Sequence, residues 1–225
     1  MKFADRGEAG RKLADKLLHL KDRQPVVLVL PRGGVAIGFE IARALDAALD
    51  IVLVRKIGVP WQPELALGAV SDGDSPATFI DRDLATSLGV PDGYIEEETT
   101  RQLEEIERRR KSYCEGRPAV QIAGRTAIVV DDGIATGATM RVALQAVRCR
   151  APARLILAVP VAPPDTLAAL LEEAADEAVT LETPAALGAI GFYYRDFHQM
   201  RDAEVTELLA RAPRATASGA AVRPS

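Results

Sequence analysis

The chain repeats one pattern: a short run that is apolar on every side, a tight turn, then a longer stretch that is apolar on one side only. Such runs fall at 26–30, wholly apolar, and at 50–54, 126–130, 154–159 and 177–181, apolar apart from Asp50, Thr126, Arg154, Glu177 and Thr180. Runs of this kind suit strands buried on both faces of a parallel sheet. The one-sided stretches, at 5–20, 35–48, 138–150, 165–175 and 201–211, predict helices; in the first, Leu13, Leu17, Leu18 and Leu20 lie on or near one face. Residues 25–54 thus have the size of a strand–helix–strand crossover. The alternation predicts one α/β domain over residues 1–211, a mostly parallel twisted sheet with helices on both faces.

Two stretches break the pattern. Between 55 and 80, Gly58, Pro60, Pro63, Gly68, Gly73 and Pro76 interrupt short apolar pieces, which predicts a flexible loop and a short hairpin, a small hood on the domain. Residues 92–115 predict a long, charged accessory helix with a narrow seam of Ile95, Leu103, Ile106 and Tyr113. Glu97–Arg101, Glu104–Arg108 and Glu105–Arg109 are acid-first pairs four residues apart, each worth a few tenths of a kcal/mol. This helix reads as solvated, lying on the domain, with a surface open to a homodimer. Residues 212–225, rich in Ala, Pro, Ser and Gly, read as a disordered tail.

Composition narrows function more than fold. The 225 residues carry 28 Lys and Arg against 32 Asp and Glu, a formal net charge of −4. Counted to Ala210, and so without Arg211, Arg214 and Arg223, the body stands at −7. That balance excludes a nucleic-acid surface built on phosphate neutralisation. The two cysteines, Cys114 and Cys149, lack CxxC spacing, and His19 and His198 stand alone, so neither a disulfide framework nor a zinc site is expected. The first eight residues lack the apolar core of a signal peptide, and no apolar run approaches the ~20 residues of a membrane span. A cytoplasmic protein is expected.

The chemistry sits where strands end. The strand Thr126–Val130 closes on Asp131 and Asp132, followed by Gly133, Ile134, Ala135, Thr136, Gly137, Ala138 and Thr139 and then a helix. Ligands of open α/β sheets bind beyond such carboxyl ends. Residues 135–139 offer backbone N–H groups, a glycine and two hydroxyls at a helix N-terminus, a ready phosphate cradle. A phosphate would repel two carboxylates, whereas sugar hydroxyls would donate to them, so cradle and pair together suggest a ribose 5-phosphate. A plain helix cap is the alternative, but one Asp suffices for a cap. Pro31, Arg32, Gly33 and Gly34 follow another strand; two glycines let the backbone approach an anion and Arg32 can bind it bidentately, although a tight turn would use the same residues. Arg55 and Lys56, read as the end of the next strand, are a third cationic point, or else a solvated pair at a loop entrance.

The pattern from Ala127 to Thr139 resembles the signature of the type I phosphoribosyltransferases: four apolar residues, two acidic ones, a short variable stretch, Thr-Gly and a further Ser or Thr. The resemblance runs over about 5–211 and takes in PRGG, RKIGVPWQPELALGAVS, DDGIATGAT and GFYYRDFHQM, a combination similar to a bacterial subgroup of the family. It implies the type I phosphoribosyltransferase fold with a small hood, and transfer of ribose 5-phosphate from phosphoribosyl pyrophosphate (PRPP) to a nitrogenous base, as in nucleotide salvage. Asp131 and Asp132 would hold the ribose hydroxyls, and Ala135, Thr136, Gly137, Ala138 and Thr139 the 5′-phosphate. Pro31, Arg32, Gly33, Gly34, Arg55 and Lys56 would hold pyrophosphate, with a cis peptide at Pro31–Arg32. Mg²⁺ would meet the two aspartates indirectly, through PRPP and water, and charge neutralisation would fall to it together with Arg32 and Lys56. Around the acceptor the resemblance implies Trp61, Glu64, Ile134, Phe192, Tyr193 and Tyr194, the aromatics serving otherwise as a hydrophobic clasp. Hypoxanthine-guanine-type enzymes carry an Asp where Ala135 stands, which argues against a 6-oxopurine held in their way. A non-catalytic PRPP- or nucleotide-binding regulator of the same fold is the rival reading. No GxSxG elbow and no GxGxxG turn occurs, which excludes a serine hydrolase of the α/β type and a dinucleotide dehydrogenase.

Overall fold

A computed structural model describes residues 2–72, 78–114, 116–117 and 119–213. Gly73, Pro76 and residues 214–225 of the tail expected over 212–225 lie outside the described residues, while Ala212 is buried against the core. Helix α1 (Arg6–Leu17) leads to β1 (Val26–Val29), α2 (Gly34–Leu45), β2 (Ala48–Ile51), β3 (Val54–Val59), β4 (Gln62–Ser71) and β5 (Thr78–Ile80). Helices α3 (Arg82–Ser87) and α4 (Asp92–Tyr113) precede β6 (Thr126–Val130), α5 (Ala138–Cys149), β7 (Arg154–Val161), α6 (Pro164–Glu173), β8 (Glu177–Glu182) and α7 (Asp202–Arg211).

Five strands form a parallel sheet in the order β2-β1-β6-β7-β8, with Leu28 registered between Asp50 and Val129, and Leu157 between Val129 and Ala178. From β1 the chain steps outward to β2; from β6 it steps the other way, to β7 and β8. The order therefore reverses between β1 and β6, and their carboxyl ends flank a switch-point crevice of the kind that binds ligands. Alternate residues of β1 serve opposite cores. Val27 and Val29 pack with α1, α2 and α7; Val26 and Leu28 pack with α5 and α6. All four are fully buried, each worth roughly 1.5–3 kcal/mol in apolar burial, which is why the run is apolar on both sides. The mostly parallel sheet with helices on both faces is the expected fold class.

The run at 50–54 divides. Helix α2 ends early because Asp46 takes a left-handed conformation (φ 51°), and β2 occupies 48–51. At Leu53 the chain leaves the parallel sheet: its N–H donates to Asp72 Oδ1 at 3.1 Å and its carbonyl accepts from the Asp72 N–H at 3.0 Å. Arg55 and Lys56 are thus not the end of a parallel strand. They lie inside β3, opposite Val70 and Ala69. Apolar patterning alone cannot see a change of sheet within a continuous run. The stretch after them is also more regular than a loop with a short hairpin: β3, β4 and β5 make a three-stranded antiparallel sheet, and its prolines and glycines fall at the β3–β4 turn and at register shifts beside Gly58. No helix among the described residues is long and apolar enough to cross a membrane.

Helix α4 follows its predicted span but not its predicted role. Of the three expected ion pairs only Glu105–Arg109 forms; Arg101 and Arg108 instead reach back three residues, to Glu98 and Glu105. Ile95, Ile106 and Tyr113 are buried and Leu103 packs against the core. Between them Arg110 points inward to Asp50 (3.1 Å) and to Asp72, whose side chains are 7% and 2% exposed. The helix is pinned to the domain by a buried charge cluster and is not merely a solvated cover.

Candidate functional site

The β1 and β6 ends meet closely. The Leu30 N–H donates to the Val130 carbonyl at 3.0 Å, which brings the 31–34 turn against the acidic pair. A Cβ built on Gly33 would lie 1.9 Å from Asp132 Oδ2, so only glycine fits there. The Pro31–Arg32 peptide is cis. On the other side of the pair, Gly137 opens α5 with φ 78° and no side-chain cap, which leaves the first-turn N–H groups for an anion. Ala135, Thr136 and Thr139 are exposed around it. The two glycine turns and the pair thus share the carboxyl end of the sheet.

The acidic pair is anchored from a distance that sequence reasoning could not span. Arg6, in the first turn of α1, donates from Nε to Asp132 Oδ2 at 2.9 Å, and its Nη2 lies 2.8 Å from the same oxygen. Its Nη1 donates to the His198 carbonyl at 2.9 Å, and its guanidinium lies 4.0 Å from the Phe197 ring centre. The Tyr194 hydroxyl donates to the Asp132 carbonyl at 2.6 Å. Asp131 Oδ1 accepts the Asp132 N–H at 2.8 Å. Asp131 Oδ2 and Asp132 Oδ1 keep no protein partner among the described residues, and neither is a buried unsatisfied atom, so both reach solvent. Burial, and then the neighbouring Asp132 charge, push the Asp131 carboxyl well above the ordinary range. Burial also raises Asp132, against the opposing pull of Arg6. An Arg in a helix rich in charge carries no signal of a partner 126 residues away.

The other expected site residues scatter. Arg32, Pro31, Arg55 and Thr139 line one cavity of about 470 Å³; Lys56, Asp131 and Asp132 are not on its wall. Ile134 is 3% exposed and packs in the α5–α6 core, so its side chain is not open to an acceptor. Tyr194 is 3% exposed, its ring stacked on Phe197 at 4.9 Å and tilted against Phe3 at 5.5 Å. It is the clasp of the aromatic run and not a free stacking face. Tyr193 packs partly against the same cluster, while Phe192 stands 66% exposed. Trp61 is 62% exposed at the β3–β4 turn. The side chain of Glu64 lies outside the described residues.

Two further groups did not stand out in the sequence: the α4 guanidiniums Arg108 and Arg109, which line the same cavity as Arg32, and the Arg110–Asp50–Asp72 cluster. Arg109 lies four residues before Tyr113 and three after Ile106, on the inward stripe of the helix, and a charge at a seam position was the available signal.

A doubly wound parallel sheet with an acidic pair and a glycine-opened helix at its switch point, bordered by a small antiparallel sheet, is a type I phosphoribosyltransferase architecture. Residues 5–183 match the family model described as "Phosphoribosyl transferase domain", and the chain belongs to that family. Two Mycobacterium tuberculosis proteins, from strains CDC 1551 / Oshkosh and H37Rv and both named "Putative phosphoribosyl transferase", are 43% identical over 220 residues, 98% of this chain and 49% of theirs. The chain spans about half the length of these curated relatives. The crystal structure of TT1426 from Thermus thermophilus is 42% identical, covers 93% of this chain and 98% of its own, and superposes with a TM-score of 0.81.

Proposed function

We propose that this chain transfers ribose 5-phosphate from PRPP to a nitrogenous, base-like acceptor, releasing pyrophosphate, with Mg²⁺ as the accompanying cation. The observation that carries the reading is the junction of the acidic pair with two anion-accommodating turns at the β1–β6 switch point. Family membership supports the same reading.

The residues suit Mg²⁺ in a limited way. Two carboxylate oxygens, one from each aspartate, reach solvent and are hard donors. No group of three or more His, Cys, Asp or Glu that could hold a metal occurs among the described residues, so most of the cation's ligands would come from PRPP and water. When bound, Mg²⁺ supplies charge neutralisation on the diphosphate. The chain's own residues do the rest. Asp131 and Asp132 accept from the ribose hydroxyls and orient the sugar. The 135–139 loop holds the 5′-phosphate on backbone N–H groups and the Thr136 and Thr139 hydroxyls. Arg32 draws charge off the departing diphosphate while the acceptor nitrogen attacks C1′, so catalysis is mostly positioning and electrostatics. Exposed Phe192 is the aromatic available to stack on a base, and Trp61 stands at the tip of a hairpin suited to exclude water.

Calorimetric titration with PRPP, with and without Mg²⁺, tests the reading. Binding is expected in the wild type, and Asp131→Asn with Asp132→Asn is expected to weaken it at least about a hundredfold, the loss of two charge-assisted contacts. Equal affinity in the double variant would return the pair to a helix cap. Pyrophosphate release across a panel of bases separates the enzyme from a PRPP-binding regulator.

A further inference from the structure

Helix α4 brings two guanidiniums to the cavity that opens beside the 31–34 turn. Arg110 fixes the rotation of the helix by its buried contacts with Asp50 and Asp72, and this sets the neighbouring Arg109 on the cavity wall, between Ile106 and Tyr113. Its lining includes the apolar Leu30, Val52 and Leu53. The walls carry Arg32, Arg55, Arg108 and Arg109 against one carboxylate, Asp202, in a chain whose net charge is −4. Glu105 bridges Arg108 and Arg109 at 2.7 Å each, so four guanidiniums face two carboxylates. Arg108 spends both Nε and Nη2 on Glu105, whereas the other three cations are only half engaged. Arg109 gives Glu105 its Nε, Arg55 gives Gln102 its Nε at 2.8 Å, and Arg32 stands 3.7 Å from Asp202. Their remaining Nη groups have no partner among the described residues. A volume of about 470 Å³ is that of a small-molecule site, and two uncompensated charges call for an occupant with more than one negative charge.

We propose that α4 supplies Arg108 and Arg109 as the second wall of a diphosphate pocket facing Arg32 and Arg55, and that this pocket takes the diphosphate group of a phosphate ester and free pyrophosphate alike. Thr139 ties the cavity to the monophosphate cradle of the 135–139 loop. The proposal rests on the PRPP reading for the identity of the ester, and on the cavity alone for its preference for diphosphate. It turns the accessory helix from a cover into part of the site.

The test is calorimetric titration of the full chain with inorganic pyrophosphate and, separately, with ribose 5-phosphate. Wild-type protein binds pyrophosphate. Arg108→Gln with Arg109→Gln weakens that binding roughly tenfold or more, while ribose 5-phosphate binds as before. Lys111→Gln, an exposed change on the same helix where the side chain pairs only with Glu107 among the described residues, leaves both unchanged and controls for general charge. Arg108 and Arg109 are 69% and 41% exposed, so their replacement opens no core, and an unchanged thermal midpoint verifies this. Unaltered pyrophosphate affinity in the double variant, or no pyrophosphate binding by the wild type, overturns the proposal. Loss of the PRPP reading has a different signature: ribose 5-phosphate and PRPP fail to bind, while pyrophosphate still binds in a manner that depends on α4.

Discussion

At the scale of single residues, Arg6 bears the most weight for its size. It is 8% exposed, and it meets Asp132, a backbone carbonyl and an aromatic face at once. Taking one partner out of a buried pair leaves the other charge desolvated and unanswered, a penalty of roughly 3–5 kcal/mol. Arg6→Gln is therefore expected to lower the unfolding free energy by about 3 kcal/mol in urea denaturation. Adding Asp132→Asn to it should return a large part of that loss, because no buried charge is then left alone. If the double variant is as unstable as the single one, the cost lies in lost packing against Phe197 and not in the stranded carboxylate. The same contact explains why Asp132 differs from Asp131: only Asp132 has a cation to oppose its burial at close range.

At the scale of elements, α4 shows what a sequence reveals and what it withholds. Its existence, length and apolar seam were legible, because 3.6-residue periodicity is a local property. The parallel strands at 26–30 and 126–130, and the two glycine turns that follow them, were legible for a related reason: a strand buried on both faces has to be apolar throughout. The docking of α4 was not legible, since Asp50 and Asp72 reach Arg110 across 60 and 38 residues. Nor was the division of the 50–54 run, which turns on one Asp72 side chain accepting the Leu53 N–H. The acceptor side was read least well. Ile134 and Tyr194 look like site residues by position in the chain, but their burial assigns them to the core. The docking cluster gives its own prediction. Arg110→Gln strands two nearly buried carboxylates and should destabilise the protein by about 3–5 kcal/mol, measured as a lower urea midpoint with an unchanged slope. Burial already raises the Asp72 carboxyl, with Arg110 as the main opposing influence. Without Arg110 the carboxyl rises further, so the variant's deficit should shrink as pH falls and the folded state takes up a proton that the unfolded chain does not yet hold.

At the scale of the whole molecule, the titrating groups divide into two sets of opposite sign. Asp131, Asp132 and Asp72 are raised above 3.8 mainly by burial, and His198 is raised above 6.5 by Asp196 and Glu204. Folded protein binds these protons more tightly than unfolded chain does. Their stabilisation is complete at low pH and is lost as pH rises through the folded values. Glu105, lowered to about 2 by Arg108 and Arg109, and Glu204, lowered to about 2 by the Arg201 backbone and side chain, act in the opposite sense. Their stabilisation is present above 4.5 and is lost as pH falls toward 2. Ligand-free protein should therefore be most stable in mildly acidic solution, with a thermal midpoint higher near pH 5 than near about pH 8. Ligand reverses the slope. If ribose hydroxyls donate to the acidic pair, binding favours its ionised form, so PRPP uptake releases protons and strengthens as pH rises through the raised Asp131 value. The gain in thermal midpoint on adding PRPP with Mg²⁺ should accordingly grow from pH 5 to 8, while the midpoint of the free protein falls. Asp131→Asn, which has no proton to lose, should flatten the first trend and weaken the second. A ligand-induced gain that is the same at every pH would mean that the pair is already ionised in the free protein or never touches the sugar, and the Asp131→Asn and Asp132→Asn affinities tell those two cases apart.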